Sequence, residues 1–376
     1  MSVNTVDPRL NPYTRYKTMR ESQPVYYNEM VRMWEIFCYN DVQRVLSEHA
    51  TFSSEFIGGG PFGASLISMD PPRHRQLRTI VTQAFTPRTI AQLAPRVTAI
   101  VNELLDAVQE KGTMDVIDDF AYPLPVTVIA ELLGIPPAER DRFRLWSNTL
   151  VGSSPGSGGN PETEMREYFL AMIEKRRKEP KNDLISALLA AQIDNEHLSM
   201  IEVLGFCFLL LVAGNETTTN LIGNAFICFD EHPEAWQQLL AEPALVPSAI
   251  EEVLRYISPV QSMFRVTTTD TVIGGQTIPA QSRLLAWIAS ANRDETQFPN
   301  ADTFDIRRTP NRHIAFGHGI HFCLGAPLAR LEAKIAFETI GQRLKNIQLT
   351  REVPLERTNS YFLYGIKHLP ITFMSQ

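Results

Sequence analysis

The feature that most restricts the fold is a long apolar helical pattern between residues 200 and 229. It opens with Ser199 and Glu202, whose S-x-x-E spacing lets each side chain bind the other residue's free backbone N–H at a helix start. Its uncharged stretch from Val203 to Asn215 is shorter than the roughly 20 residues that a bilayer requires. We therefore predict a helix that is buried in the centre of a large helical protein.

Polar residues interrupt this apolar pattern in its middle. The stretch AGNETTTN, residues 213–220, places a glycine, the carboxylate of Glu216 and three threonines where the core should lie. Burying a carboxyl group costs free energy unless a partner or a chemical task compensates for it. A charge on a solvated helix face is the alternative interpretation of Glu216, and ordinary helix packing is the one we prefer for Thr218 and Thr219.

Helical periodicity also dominates the rest of the chain, which predicts a mainly α fold of the α+β type, with a large helical region and a smaller β-rich region. Strand patterns occur around residues 24–39, in 264–288 and near the C-terminus. The predicted helices lie near 87–110, 123–134, 162–178, 182–192, 199–229, 233–241, 247–257 and 328–344.

Composition excludes several classes of function. The 376 residues carry a net charge of −7, which argues against a nucleic-acid partner. The polar, proline-bearing N-terminus has no apolar signal region and no membrane anchor, so we expect a cytoplasmic protein. The four cysteines, at 38, 207, 228 and 323, are too scattered for a disulfide framework. The first three are expected to be small buried hydrophobic residues.

Cys323 differs because it lies in the run FGHGIHFCLG, just before an amphipathic helical pattern with Pro327 near its start. The helix dipole and free N–H groups there favour a thiolate, and the glycines allow backbone amides to approach the sulfur. A shielded anionic sulfur suits a metal ligand. A merely buried cysteine is the alternative. A zinc site is a weaker alternative, because His313, His318, His321 and Cys323 lack the paired spacing of a structural zinc site.

Phe316-x-x-Gly319-x-x-x-Cys323-x-Gly325 resembles the haem-ligand signature of the cytochrome P450 monooxygenases. Other segments resemble that family in the expected order, so the resemblance covers residues 8–374 and implies one cytochrome P450 domain over residues 1–376. These segments are the oxygen-activation stretch Ala213 to Thr217, Glu252-x-x-Arg255, Phe304-x-x-x-Arg308, and His74-x-x-x-Arg78 with Arg265 and His321.

The resemblance implies that Cys323 is the axial metal ligand of haem b, iron protoporphyrin IX. It implies that Glu216 and Thr217 are catalytic and relay protons to bound oxygen, with Gly214 letting the helix open so that the threonine hydroxyl turns away from its own helix. It assigns Glu252, Arg255 and Arg308 to folding; Glu251 we take for a surface charge. The implied cofactor-binding residues are His74, Arg78, Ala213, Gly214, Arg265, Phe316, His321, Cys323 and Gly325.

The implied partners are O2, a lipophilic substrate and a separate electron donor. The chain has no nucleotide-binding glycine motif, and its dispersed cysteines cannot hold an iron–sulfur cluster. We therefore expect a ferredoxin or flavodoxin, with its reductase, to dock on a basic patch of Arg75, Arg312, Arg330 and Lys334. We expect the protein to be a monomer. The residues expected to line the substrate cavity are Phe56, Phe62, Leu66, Val212, Val260, Met263 and Phe362.

The leading hypothesis is a monooxygenase that hydroxylates a fatty acid, terpenoid or steroid with O2 and two electrons. A peroxide-driven haem-thiolate hydroxylase is an alternative, although such proteins usually lack the pair that Glu216 and Thr217 supply. A haem-thiolate sensor without chemistry is a second alternative, in which that pair would have no role.

Overall fold

The computed structural model describes residues 10–55, 65–140, 142–143, 145–146, 160–193, 196–352 and 354–375. Helices dominate these ranges. They are Tyr13–Ser22, Tyr39–Ser47, Arg73–Ala84, Pro87–Ala91, Ala94–Gln109, Pro123–Leu132, Pro161–Lys178, Leu184–Ala190, Met200–Glu231, Pro233–Ala241, Val246–Tyr256, Ile288–Ala291 and Ala326–Arg343. We call Met200–Glu231 the central helix, Val246–Tyr256 the ion-pair helix and Ala326–Arg343 the C-terminal helix.

The strands form two main sheets beside the helices. The larger sheet has five strands in the order Val25–Asn28, Met33–Ile36, Arg283–Ala286, Met263–Thr267 and Phe52–Ser53. Only the pairing of Arg283–Ala286 with Met33–Ile36 is parallel among its described strands. The smaller sheet has the order Leu344–Leu349, Pro370–Ser375 and Thr113–Asp115, and two short hairpins pair Gln192–Ile193 with Glu196–His197 and Thr271–Ile273 with Gln276–Ile278.

The central helix begins as predicted and is buried over most of its length. Ser199 accepts a hydrogen bond from the backbone N–H of Glu202, and the Glu202 side chain accepts one from the backbone N–H of Ser199. Helices Pro123–Leu132 and Pro161–Lys178 pack against it. It is long and apolar enough to cross a membrane, but most of its apolar stretch lies inside the protein. The helix is therefore the core element that its pattern predicts.

Four described helices were not predicted from the periodicity. Tyr13–Ser22, Tyr39–Ser47, Arg73–Ala84 and Ile288–Ala291 are short or rich in polar residues. The pattern predicted as one helix near 87–110 is two, Pro87–Ala91 and Ala94–Gln109. Pro95 in the first turn of the second helix has no N–H to continue a helix from before it.

Of the three cysteines expected in the core, Cys207 and Cys228 are buried. Cys38 is only half-buried, because it lies at the start of helix Tyr39–Ser47.

The ion-pair helix carries the predicted buried cluster. The side chains of Glu252 and Arg255 are both fully buried, and Arg255 Nη2 donates to Glu252 Oε1 over 2.8 Å. Arg308 Nε donates to the same oxygen over 3.2 Å, and Arg255 Nη1 donates to the Ala301 carbonyl over 2.8 Å. The cluster therefore ties the segment around residues 301–311, which leads to Cys323, to the ion-pair helix. Removing one member would leave buried charge unpaired, at a cost of roughly 3–5 kcal/mol.

Candidate active site

An interior cavity of about 210 Å³, partly open to solvent, lies between the central helix and the loop that carries Cys323. One stripe of the central helix forms a wall of it. The stripe has helical spacing, which places its members on one face. They are Phe206, Leu209, Leu210, Ala213, Gly214, Thr217, Thr218 and Leu221.

Cys323 lies at the opposite wall, at the start of the C-terminal helix. Its backbone N–H donates to the Phe316 carbonyl over 2.8 Å, which closes the loop, and the backbone N–H groups of Gly325 and Ala326 point at its sulfur. These amides and nearby arginine charges lower the pKa of the thiol, but burial outweighs them and the pKa is raised. The helix start and the amides favour a thiolate as expected, but without a bound cation burial outweighs them. A bound cation is needed to keep a thiolate there.

Gly319 lets this loop pack closely against its neighbour. Its φ of +72° is in the left-handed region, and a Cβ at this position would lie 2.9 Å from Ser47 Cα. A side chain would therefore be strained and would also push the loop away from helix Tyr39–Ser47.

Basic side chains converge beside the same loop. The rings of His74 and His321 lie 4.3 Å apart, and Arg78 Nη2 donates to the Phe322 carbonyl over 2.6 Å. Arg265 is only 5% exposed. Burial, and then the positive charge of Arg265, lowers the pKa of His321 to about 3. Burial also lowers the pKa of His74. Both imidazoles therefore lie beside two buried or half-buried guanidinium groups, where a further positive charge is disfavoured.

This basic cluster has unused hydrogen-bonding capacity. Within the described ranges, Nε2 of His74 and Nε2 of His321 are buried without a hydrogen-bond partner. Neither Arg78 nor Arg265 forms an ion pair with a described carboxylate, and burial lowers the pKa of Arg265 to about 10. Buried donors without partners cost free energy, so the cluster is built to receive an anion.

Glu216 and Thr217 lie on adjacent faces of the central helix. Glu216 is buried, both of its carboxyl oxygens have no hydrogen-bond partner among the described residues, and burial raises its pKa to about 7. Thr217 lines the cavity, but its hydroxyl donates to the Ala213 carbonyl over 2.7 Å. Thr218 and Thr219 bond back to their own helix, as expected of ordinary packing.

The expected opening of the helix at Gly214 is not present, since the central helix is continuous from Met200 to Glu231. Gly214 has another role, because a Cβ there would lie 3.0 Å from Ile129 Cδ1. The glycine therefore allows helix Pro123–Leu132 to approach closely.

The predicted cavity wall is correct only in part. Leu66, Val260 and Met263 line the cavity, whereas Phe56 and Phe62 lie outside the described residues. Val212 is not among the lining residues, because the stripe that begins at Phe206 repeats every three or four residues and bypasses it. Phe362 is 45% exposed and does not line the cavity either.

Comparison with known proteins decides the family. The model of the family described as Cytochrome P450 matches residues 161–371. "Cytochrome P450 109" of Bacillus spizizenii is 44% identical over 96% of this chain and 92% of its own length. The erythromycin C-12 hydroxylase of Saccharopolyspora erythraea is 40% identical over 94% and 92%. The crystal structure of CYP109E1 from Bacillus megaterium with testosterone is 39% identical, covers 97% of this chain and 98% of that one, and superposes with a TM-score of 0.91.

The chain belongs to the cytochrome P450 family. It is a haem-thiolate monooxygenase with the P450 fold and takes haem b as its cofactor. The residues present fit that group. Haem carries two carboxylates, which suit the unpartnered ring nitrogens of His74 and His321 and the two guanidinium groups that lack a described carboxylate, and the Cys323 thiol faces the cavity.

The P450 signature gave no indication of what Glu251 contacts. The expectation that it is a surface charge is wrong, because its carboxylate accepts two 2.7 Å hydrogen bonds from Arg330 and lies 3.0 Å from His313 Nε2. Arg330, expected in a free basic patch, is therefore already paired. Two residues 79 positions apart carry no sequence signal that they meet.

Glu332 is a buried acid that the sequence interpretation missed. It is 1% exposed, lines the cavity, and has no hydrogen-bond partner on either carboxyl oxygen among the described residues. Burial raises its pKa to about 8. Its position four residues after Leu328, on the apolar face of the C-terminal helix, is a signal that could have revealed it.

We expect Glu332 to be a neutral carboxylic acid in the holoprotein at pH 7. Because its pKa is raised from 4.5 to about 8, its protonated form stabilises the fold fully below pH 4.5, and this stabilisation is lost as the pH rises towards 8. The free energy of unfolding of wild type should therefore fall across that range relative to Glu332→Gln, by a few kcal/mol. Chemical unfolding of both holoproteins at a series of pH values measures the difference.

Glu338→Gln is the matched control, since Glu338 lies on the same helix but is part-exposed beside Lys334. It should show no comparable pH-dependent difference. Parallel pH profiles for wild type and Glu332→Gln would contradict the prediction.

Proposed function

We propose that this chain hydroxylates a lipophilic small molecule, using O2 and two electrons from a separate protein, in a cavity closed on one side by Cys323. Haem, when bound, supplies the oxygen-activating iron, and electron donation from an axial thiolate favours O–O cleavage. Cys323 is the proposed ligand, because its sulfur faces the cavity beside the Gly325 and Ala326 amides. This placement of the one cavity-facing thiol is the observation that carries the proposal.

The remaining cofactor contacts follow from position. His74, Arg78, Arg265 and His321 are proposed to bind the two propionates, the histidines through ring nitrogens without a described partner and the arginines through guanidinium groups without a described carboxylate. Ala213, Gly214, Phe316 and Gly325 are proposed to pack on the porphyrin. The support is that six of these eight residues line the same cavity, namely Arg78, Ala213, Gly214, Phe316, His321 and Gly325.

Glu216 and Thr217 are the proposed proton donors to the reacting oxygen. A carboxyl group with a pKa of about 7 both holds and releases a proton near neutral pH, which is the requirement for general acid catalysis. Thr217 presents its side chain to the cavity, and its hydroxyl rotates to donate either to Ala213 or to a cavity group. Because Glu216 does not line the cavity, its proton is proposed to reach the cavity through the Thr217 hydroxyl.

The substrate is proposed to be a fatty acid, terpenoid or steroid. The charged or imidazole groups among the described lining residues are Arg78, His321 and Glu332, and the rest of the wall is largely apolar. Two of these belong to the proposed propionate site, so substrate binding rests mainly on apolar burial. The testosterone complex of CYP109E1 is a further reason to include steroids.

For a compound from these classes that shifts the spin state of the haem, we expect product to form with O2 and reductant. Thr217→Ala should lower the product formed per O2 consumed at least about tenfold, because the hydroxyl proposed to pass the proton to the reacting oxygen is then missing. Thr217→Ser keeps the hydroxyl and is the control that should retain coupling. Oxygen uptake and product are measured together.

Equal coupling in Thr217→Ala and wild type would contradict the proposed relay. Turnover with peroxide alone that Thr217→Ala leaves unchanged would favour the peroxide-driven alternative. Failure to consume oxygen with any reductant and ligand would favour the sensor.

The electron donor is proposed to be an acidic ferredoxin or flavodoxin that binds near Arg75 and Arg312. Both residues are exposed, and Arg75 borders an open groove that also reaches Ile320 in the Cys323 loop. Arg330 and Lys334 contribute less than expected, because carboxylates of Glu251 and Glu338 lie beside them. We also propose that the chain acts as one domain, as a monomer and in the cytoplasm.

Arg75→Glu and Arg312→Glu should each slow electron transfer from an acidic donor and weaken its dependence on salt. Arg283→Glu, at an exposed position on the five-stranded sheet, is the control that should leave the rate unchanged. Stopped-flow reduction at several ionic strengths measures these rates. Rates that do not respond to salt or to either reversal would exclude this docking surface.

A further inference from the structure

A charged cluster lies directly behind the proposed haem site, outside the residues given a role above. Glu251 and Arg330 form a two-pronged ion pair in which Nε and Nη2 donate to the two carboxyl oxygens over 2.7 Å each. Arg330 and His313 lower the pKa of Glu251 to about 2 against the effect of burial, so its carboxylate is charged. The cluster joins the ion-pair helix to the C-terminal helix.

His313 adds the loop before Cys323 to this cluster. Its Nδ1 accepts a hydrogen bond from the Ala315 backbone N–H over 3.2 Å, so the ring proton lies on Nε2 and is donated to Glu251 over 3.0 Å. The side chain of His313 is only 3% exposed. The tautomer and the ring orientation of His313 are therefore both fixed by its neighbours.

Phe316 is held between these groups. The guanidinium carbon of Arg330 lies 4.5 Å from the centroid of the Phe316 ring, and the His313 ring lies 6.2 Å from it. A cation over an aromatic face is attracted to it, and a carboxylate on the outer edge of the guanidinium fixes its plane. Phe316 lines the haem cavity, and its carbonyl accepts the backbone hydrogen bond of Cys323.

The cluster also sets the charge near the sulfur. Arg330 lies over the ring of Phe316, whose carbonyl accepts the Cys323 N–H, so its positive charge is close enough to act on the sulfur. The Glu251 carboxylate lies 2.7 Å from Arg330 Nε and offsets the charge of Arg330. The ion pair therefore acts on the sulfur as a dipole rather than as a lone cation. Removing the carboxylate would leave Arg330 uncompensated.

We infer that Glu251 is a positioning residue that orients Arg330 and His313 around Phe316 and sets the electrostatic potential at the Cys323 sulfur. This inference rests on the proposed role of Cys323 as iron ligand. An uncompensated Arg330 favours the state with one more electron at the iron site. The reduction potential of the haem therefore depends on a carboxylate that does not contact the cofactor.

The test is the reduction potential of the holoprotein, measured by spectroelectrochemistry. Glu251→Gln should shift the potential to more positive values while the carbon-monoxide spectrum stays that of a thiolate-ligated haem. The double variant Glu251→Gln with Arg330→Gln removes both charges and should return the potential towards that of wild type. Glu338→Gln removes a carboxylate from the C-terminal helix beside Lys334 and should change nothing.

Orientation is tested separately from charge. Arg330→Lys keeps the charge but loses the planar group over Phe316, so the low-spin electron paramagnetic resonance signal should change while the potential stays near that of wild type. A potential that Glu251→Gln leaves unchanged, or that Glu338→Gln shifts equally, would overturn the inference. Loss of the thiolate spectrum in wild type would instead overturn the proposed ligand, so the two failures are distinguishable.

Discussion

A buried sulfur that must be an anion to bind a metal is the constraint on which the rest of this structure depends. Burial raises the pKa of the Cys323 thiol, and the protein counters this with two backbone amides at a helix start and with arginine charges. Burial outweighs those contributions as long as no cation is bound. A metal at the sulfur would complete the site, in keeping with the proposed role of Cys323 as a ligand.

The surrounding structure keeps the loop fixed while the cavity beside it stays apolar. The buried pair of Glu252 and Arg255 anchors the segment that precedes the loop, and Gly319 lets the loop pack on helix Tyr39–Ser47. Glu251, the residue before Glu252, has a different partner and pairs with Arg330 of the C-terminal helix. Two adjacent glutamates thus belong to different clusters, one in the buried ion pair and one beside the proposed metal ligand. In the central helix, the pKa of Glu216 is raised to near neutrality because burial penalises its charge.

Local patterns in the sequence were enough to predict the elements that position the site. Ser199 and Glu202 mark the start of the central helix, and Pro327 marks the start of the helix that follows Cys323. The spacing of Glu252 and Arg255 predicts a pair, because residues three apart on a helix are neighbours. These signals are short-range, and the structure contains each of them. The overall α+β class follows from the same periodicities.

Contacts between distant segments could not be predicted in this way. The hydrogen bond from the Thr217 hydroxyl to the Ala213 carbonyl depends on the rotamer of Thr217. The pairing of Glu251 with Arg330 depends on how two helices cross. Val212 fails as a lining residue because the exact rotation of the central helix decides which stripe faces the cavity. Glu332 was missed because a glutamate in an amphipathic helix is usually exposed, whereas this one is 1% exposed.

The most direct test of the account is the absorbance spectrum of the reduced, carbon-monoxide-treated protein, compared between wild type and Cys323→Ser. If Cys323 binds the haem iron, wild type gives the red-displaced band of thiolate ligation and Cys323→Ser loses it, although haem still binds. A wild-type spectrum without that band, or a Cys323→Ser spectrum that still shows it, would contradict the account.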